Sequence, residues 1–227
     1  HSSDLLEVSL PSAAEAAASD EKQETESNNM NQVLGLTLAG QMLFFSFYTG
    51  AYSMMSILQD QEQGTLARLF TTPTPRSIIL AGKFLAVFLM VLVQAVVLLS
   101  AGALAFHVNW GQPLSILIMV IAQVISAGGL GVLLIAFVKN SKQAGPVLGG
   151  GLTTLGMLGG LFTSSVSMPE IMTRLAVFTP QGWAINGWKL VLGGAAAAEV
   201  LPTCLVLIAL GVAMFAAGAL VFQRRFA

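Results

Sequence analysis

Two stretches of this chain, residues 27–59 and 84–138, contain no Asp, Glu, Lys or Arg. A helix rises about 1.5 Å per residue, so about twenty apolar residues cross the ~30 Å hydrocarbon core of a bilayer. The first run suffices for one crossing and the second for two. Only 9% of all residues are charged and 55% are apolar, with a mean hydropathy of +0.79. A soluble domain carries roughly 25% charge, so this chain is not solvated like one. The expected fold is all-α, a polytopic transmembrane helix bundle.

Residues 1–32 are of another kind. Asp4, Glu7, Glu15, Asp20, Glu21, Glu24 and Glu26 stand against a single Lys22, among Ser, Ala and Asn. Such a stretch buries too little apolar surface to fold alone and reads as an acidic tail or linker in solvent. It lacks the basic-then-apolar order of a signal peptide.

Beyond the tail, residues 33–227 divide into five expected spans, at 33–58, 78–106, 113–138, 144–166 and 201–222. Asn109, Gly111 and Pro113 supply turn chemistry between the second and third, and Trp110 suits a membrane interface. On the fourth, Gly145/Gly149 and Gly156/Gly160 are small-xxx-small pairs that allow close helix packing or a subunit interface. Residues 168–190 are interrupted by Pro169, Pro180 and Gly182, and their apolar pieces of ~10–14 residues have the length of re-entrant or interfacial helices. The expectation there is a bent, outward-facing pair of short helices, broken at residues 179–182, with Trp183 and Trp188 anchored near the headgroups.

Basic residues orient the bundle. With the tail outside, the inner segments hold Arg68, Arg76, Lys83, Lys139, Lys142, Arg224 and Arg225, and the outer ones past the tail only Arg174 and Lys189. Seven against two is the bias expected of cytoplasmic loops. The tail is therefore expected outside and the C-terminus in the cytoplasm.

Residues 59–83, between the first two spans, then form a cytoplasmic loop that concentrates Asp60, Glu62, Arg68, Arg76 and Lys83. Within it Leu66, Leu69 and Phe70 fall at i, i+3 and i+4, a short apolar stripe on a helix. Glu62, Gln63, Thr65 and Arg68 take the other positions, Gly64 allows a tight entry, and Pro73 stops the helix. By its residues alone, this helix either rests on lipid headgroups or offers its stripe to the groove of a soluble partner.

Asp60, Glu62, Gly64, Thr65, Leu66, Arg68, Leu69, Thr72 and Pro73 spell D-x-E-x-G-T-L-x-R-L-x-x-T-P, and Leu80, Gly82 and Lys83 add L-x-G-K. A second patch pairs Met168-Pro169 with Thr179, Pro180, Trp183 and Ala184. Over about residues 30–225 the chain resembles the ABC-2 type permease family. The resemblance implies the transmembrane subunit of an ATP-driven exporter, in a bacterial cell membrane. Its first cytoplasmic loop would dock as a coupling helix on a separate ATPase subunit. By that likeness Asp60, Glu62, Gly64, Thr65, Leu66, Arg68, Leu69, Phe70, Thr72 and Pro73 form the ATPase-coupling segment, and Pro169, Pro180 and Trp183 belong to the re-entrant region. Leu66, Leu69 and Phe70 would fill the partner's groove, with Glu62 and Arg68 fixing orientation through rim charge pairs. The likeness also implies a second permease subunit, identical or different, and ATP and Mg held by the ATPase. The family has six spans and often an outer domain after the first, so the acidic tail is expected to be the end of such a domain, the first span lying upstream.

The remaining residues argue against other chemistry. Residues 81–84, AGKF, echo the end of a phosphate loop, but Ser77 stands where a glycine is needed and Phe84 where a hydroxyl would bind magnesium. Cys204 is the single cysteine, and His1 and His107 have no acid at ligand spacing, so neither metal site nor catalytic group is expected. Nucleic acid is not an expected partner. Gln41, Gln94 and Gln123 lie inside the first three spans, as polar members of a translocation path or as interhelical hydrogen-bond formers. No span holds an acidic residue, whereas an ion-coupled carrier needs a charge in the membrane interior. An ion-coupled transporter or channel-like subunit is the alternative reading, and a membrane scaffold the third.

Overall fold

A computed structural model describes residues 13–65, 76–162 and 170–226. The described residues form seven helices: α1 (Ala13–Glu62), α2 (Arg76–Phe106), α3 (Pro113–Phe137), α4 (Ser141–Leu158), α5 (Glu170–Ala176), α6 (Pro180–Leu192) and α7 (Ala197–Phe226). Among the described residues four stretches are long and apolar enough to cross a membrane: Asn29–Asp60, Phe84–Phe106, Pro113–Phe137 and Ala197–Val221. They fall on the first, second, third and fifth expected spans.

Two elements differ from expectation. α1 begins at Ala13, so the helix runs back through the polar segment; Ala, Glu, Gln and Lys are strong helix formers and extend it without a core of their own. The expected span at 144–166 is an eighteen-residue helix that stops at Leu158. Its five glycines, with Lys142, Gln143 and Pro146, keep it less apolar than the others, and Gly160, at φ 78°, turns the chain away from the helix axis. α4 nonetheless runs antiparallel along α1. Ser141 meets Glu62, the Tyr48 hydroxyl reaches the Gly149 carbonyl at 2.9 Å, and the Phe162 ring lies 5.0 Å from that of Phe44.

α3 is the central helix. It packs most extensively on α7 and also meets α1, α2, α4 and α6. Small residues set these crossings: Gly129 lies against the Gly211 backbone, Gly50 against Ala127, and Gly131 against Gly50 and Ala51. Without a hydrophobic driving force between helices in lipid, this close backbone approach supplies the packing. The core gathers Met42, Leu43 and Phe47 of α1, Met119 and Leu130 of α3, Leu148 and Leu152 of α4, and Leu207 of α7. α2 instead exposes Leu85, Leu89, Met90, Val93, Val96 and Val97, a wall that a bilayer covers at no cost.

α5 and α6 are two short helices, neither long enough to span, and they break where the sequence breaks. Thr179 caps α6: its Oγ1 accepts from the Gly182 amide at 3.0 Å and donates to the Ala176 carbonyl at 2.9 Å. Pro180 occupies the first helical position, where its missing N–H has no partner to lose.

Candidate functional site

The end of α1 carries the first half of the loop motif. Asp60 and Glu62 are its last acidic residues, and Gly64, at φ 70°, turns the chain out of the helix in a conformation that suits glycine. Thr65 Oγ1 donates to the Asp60 carbonyl at 3.0 Å and lies 3.3 Å from Asp60 Oδ1, closing that turn. Leu66, Arg68, Leu69, Phe70, Thr72 and Pro73 lie outside the described residues, as does Pro169.

Glu62 has a partner within the chain. Its Oε1 accepts from the Ser141 amide at 2.7 Å and its Oε2 from the Ser141 hydroxyl at 2.5 Å, so both carboxylate oxygens bridge to the start of α4. The side-chain and backbone hydrogen bonds from Ser141, aided by the nearby Lys142 charge, hold the Glu62 carboxyl below the usual carboxylate range. It therefore stays ionised at neutral pH, at the positive end of a helix dipole. Asn140 adds α4's own cap, its side chain accepting from the Gln143 amide at 3.0 Å. The first and second loops on this face are joined through Glu62.

The three glutamines divide. Gln123 is fully buried, its amide nitrogen donating to Ser46 at 3.1 Å and its oxygen accepting the Trp188 indole at 2.9 Å. Gln94 accepts the Thr49 hydroxyl at 2.6 Å, tying α2 to α1. Both make interhelical hydrogen bonds. Gln94 also lines a shallow external groove with Phe45, Thr49, Val97 and Leu98, while Gln41 is exposed on α1.

Two tryptophans are turned into the protein rather than toward lipid. Trp188 is fully buried, and Trp110 is buried with its ring packed edge-on to Trp188 at 5.8 Å. Each indole has a polar partner inside the protein, Gln123 for Trp188 and the Leu99 carbonyl at 3.0 Å for Trp110, so neither needs headgroups. Trp183 is half-buried and donates to the Val177 carbonyl at 2.8 Å, across the α5–α6 break. Of the glycine pairs, Gly149 faces Tyr48 and Tyr52 and Gly156 faces Phe44, both packing against α1, while Gly160 lies beyond the helix.

Sequence reasoning missed an aromatic ladder. Phe44, Tyr48 and Tyr52 recur at every fourth residue on one face of α1, with ring centroids 4.6 and 5.5 Å apart. The Tyr48 hydroxyl also lies 2.9 Å from Thr153. The four-residue spacing was the available signal. Gln181 was missed as well: its side chain is fully buried, and neither amide atom has a hydrogen-bond partner.

The chain matches the family described as "ABC-2 family transporter protein" over residues 6–220. It is 27% identical over 212 residues to the "Linearmycin resistance permease protein LnrN" of Bacillus subtilis (strain 168), an alignment covering 92% of this chain and 54% of that protein. The chain thus spans about half the length of the curated relative it matches. With the family match running through all seven helices, the chain belongs to the ABC-2 family of transporter proteins.

Proposed function

We propose that the chain forms the membrane-spanning part of an ATP-binding-cassette exporter, driven by a separate ATPase that docks on the loop after α1. The observation that carries this reading is the family match across the helical bundle, which includes the D-x-E-x-G-T-L segment. The end of α1 and the α3–α4 turn lie together through Glu62 and Ser141, giving one polar face on which an ATPase could bear. Leu66, Leu69 and Phe70 fill the ATPase groove, and Arg68 supplies a rim charge. ATP and magnesium reside on the ATPase. The N-terminal side of α1 faces outward, the C-terminus faces the cytoplasm, and a second permease subunit completes the path.

The transported compound is amphipathic or apolar. Among the described residues every buried polar side chain is uncharged, so the interior has no fixed charge to pair with an ionic substrate. Linearmycin, after which the relative is named, is the first compound to test.

The test is co-expression of the full-length permease with its ATPase in linearmycin-sensitive cells. The expected result is co-purification of the two proteins and ATP-dependent protection, both lost with Arg68→Glu at unchanged permease abundance. Transport that persists without any ATPase and follows an ion gradient would instead establish a secondary carrier.

A further inference from the structure

The Glu62–Ser141 bridge joins residues 79 positions apart. A surface glutamate that served only to meet an ATPase would keep its oxygens free for that partner. Here both are engaged by one residue at the first position of α4, in charge-assisted hydrogen bonds that are short and directional. α4 does not need Glu62 to be capped, because Asn140 already caps it in the usual way. The second cap comes from another helix, from the last residue of α1, just before the chain pivots at Gly64 into the loop.

The two ends of α4 touch two different elements. At its start it holds Glu62. Past its other end, Gly159 lies directly against Gln181 and Gly182 at the head of α6. Between them the helix meets α1 through tyrosine hydroxyls and backbone carbonyls, Tyr48 to Gly149 at 2.9 Å and Tyr52 to Gly145 at 3.4 Å, and sets Leu148 and Leu152 into the shared core. Packed contacts of this kind are little compressible and pass a displacement of one end of a helix on to the other.

We propose that Glu62 is a latch: it fastens the start of α4 to the end of α1, so that displacement of the first cytoplasmic loop moves α4 and, through Gly159, the α5–α6 hairpin. Glu62 is then a positioning residue acting through Ser141, not a rim contact for the ATPase. The inference rests on the exporter reading for the origin of the displacement, whereas the fastening itself is a property of this chain.

Ser141→Pro isolates the latch. Proline at the first helical position removes both donors to Glu62 and leaves the helix intact, since its fixed φ suits that position. Ser141→Thr keeps both donors and serves as the conservative control. Spin labels at Gln59→Cys and Gln143→Cys, both exposed sites, in a Cys204→Ala background report the separation of the α1 and α4 ends. The full-length permease is measured with its ATPase, without nucleotide and after vanadate trapping of ATP. The expected result is a narrow distance distribution for wild type and Ser141→Thr in both states, because the two ends travel together. Ser141→Pro and Glu62→Ala should broaden it and let the distance change on trapping. In linearmycin-treated cells, Ser141→Pro should reduce protection at least about fivefold, the lower range of site-to-site coupling, with the ATPase still bound.

Unchanged distances in Ser141→Pro overturn the latch whatever the transport result. Broadened distances with full protection overturn its role in transmission. Loss of ATPase binding in Glu62→Ala but not in Ser141→Pro makes Glu62 a rim contact and also overturns it. If wild-type permease binds no ATPase, the exporter reading fails instead, and the nucleotide-free distances alone decide the latch.

Discussion

The Trp188 indole N–H donates to the Gln123 carboxamide oxygen at 2.9 Å, and neither side chain has any solvent exposure. Gln123 passes its own amide to Ser46, so one buried chain of donors holds α6, α3 and α1 together. Hydrogen bonds between membrane helices average about 0.6 kcal/mol, with a maximum of about 1.7. Orphaning a buried acceptor costs about 1–3 kcal/mol. Trp188→Phe keeps an aromatic ring and removes the donor. It should lower the midpoint of thermal unfolding in detergent by at least about 2 °C, the response of a chain this size to 1 kcal/mol. An unchanged midpoint would show that the bond contributes nothing.

The α3–α7 crossing makes a prediction with its own internal control. A Cβ on Gly129 would collide with the Gly211 carbonyl oxygen, whereas one on the adjacent Gly128 meets nothing within 4 Å. Gly129→Ala should destabilise by about 1–3 kcal/mol, as overpacking does. Gly128→Ala should be neutral or stabilise by roughly 0.5–1 kcal/mol, the helix gain of alanine over glycine. Urea or thermal unfolding of the two purified variants ranks them, and the reverse ranking would contradict the crossing.

The parts of this fold legible in sequence are those set by local composition. Long apolar runs locate Asn29–Asp60, Phe84–Phe106, Pro113–Phe137 and Ala197–Val221, because length against bilayer thickness is a one-dimensional property. The break before α6 is legible for the same reason: Thr179 and Pro180 are a cap and a first-turn proline side by side. The rest depends on pairings distant in sequence. An indole in an apolar run is equally content with a headgroup or with a buried carboxamide, so local composition sends Trp188 to the interface, and only Gln123, 65 positions away, takes it inside. Glu62 reads as facing a partner protein because nothing near it in sequence shows that Ser141 will arrive to meet it. Apolar residues continue past Leu158 and suggest a span to residue 166, while Gly159 and Gly160 have already ended the helix.

Gln181 predicts the opposite sign from Gln123. Its buried carboxamide has no hydrogen-bond partner, so the desolvation of both polar atoms is uncompensated. Gln181→Met preserves length and discards the polar atoms, and should stabilise the bundle by about 1 kcal/mol. The check is again the unfolding midpoint, which should rise. A fall would mean that the amide is satisfied in the protein as it exists in a bilayer.

Asn29 and Gln143 are both exposed and lie at opposite ends of the bundle, because α1 crosses from Asn29 to Asp60 and Glu62 then meets Ser141. The basic residues choose which end is inside: Arg76 and Lys83 in the first turns of α2, Lys139 before α4 and Lys142 at its start all belong to the Gln143 end, whereas Arg174 at the other is paired with Glu170 at 2.7 Å. Positively charged loops are retained on the cytoplasmic side. Single cysteines at these positions, in a Cys204→Ala background, should therefore respond differently to a membrane-impermeant maleimide. Asn29→Cys should label in intact cells, and Gln143→Cys only after permeabilisation. Labelling of Gln143→Cys in intact cells would invert the molecule, removing the loop after α1 from any cytoplasmic ATPase and the exporter reading with it.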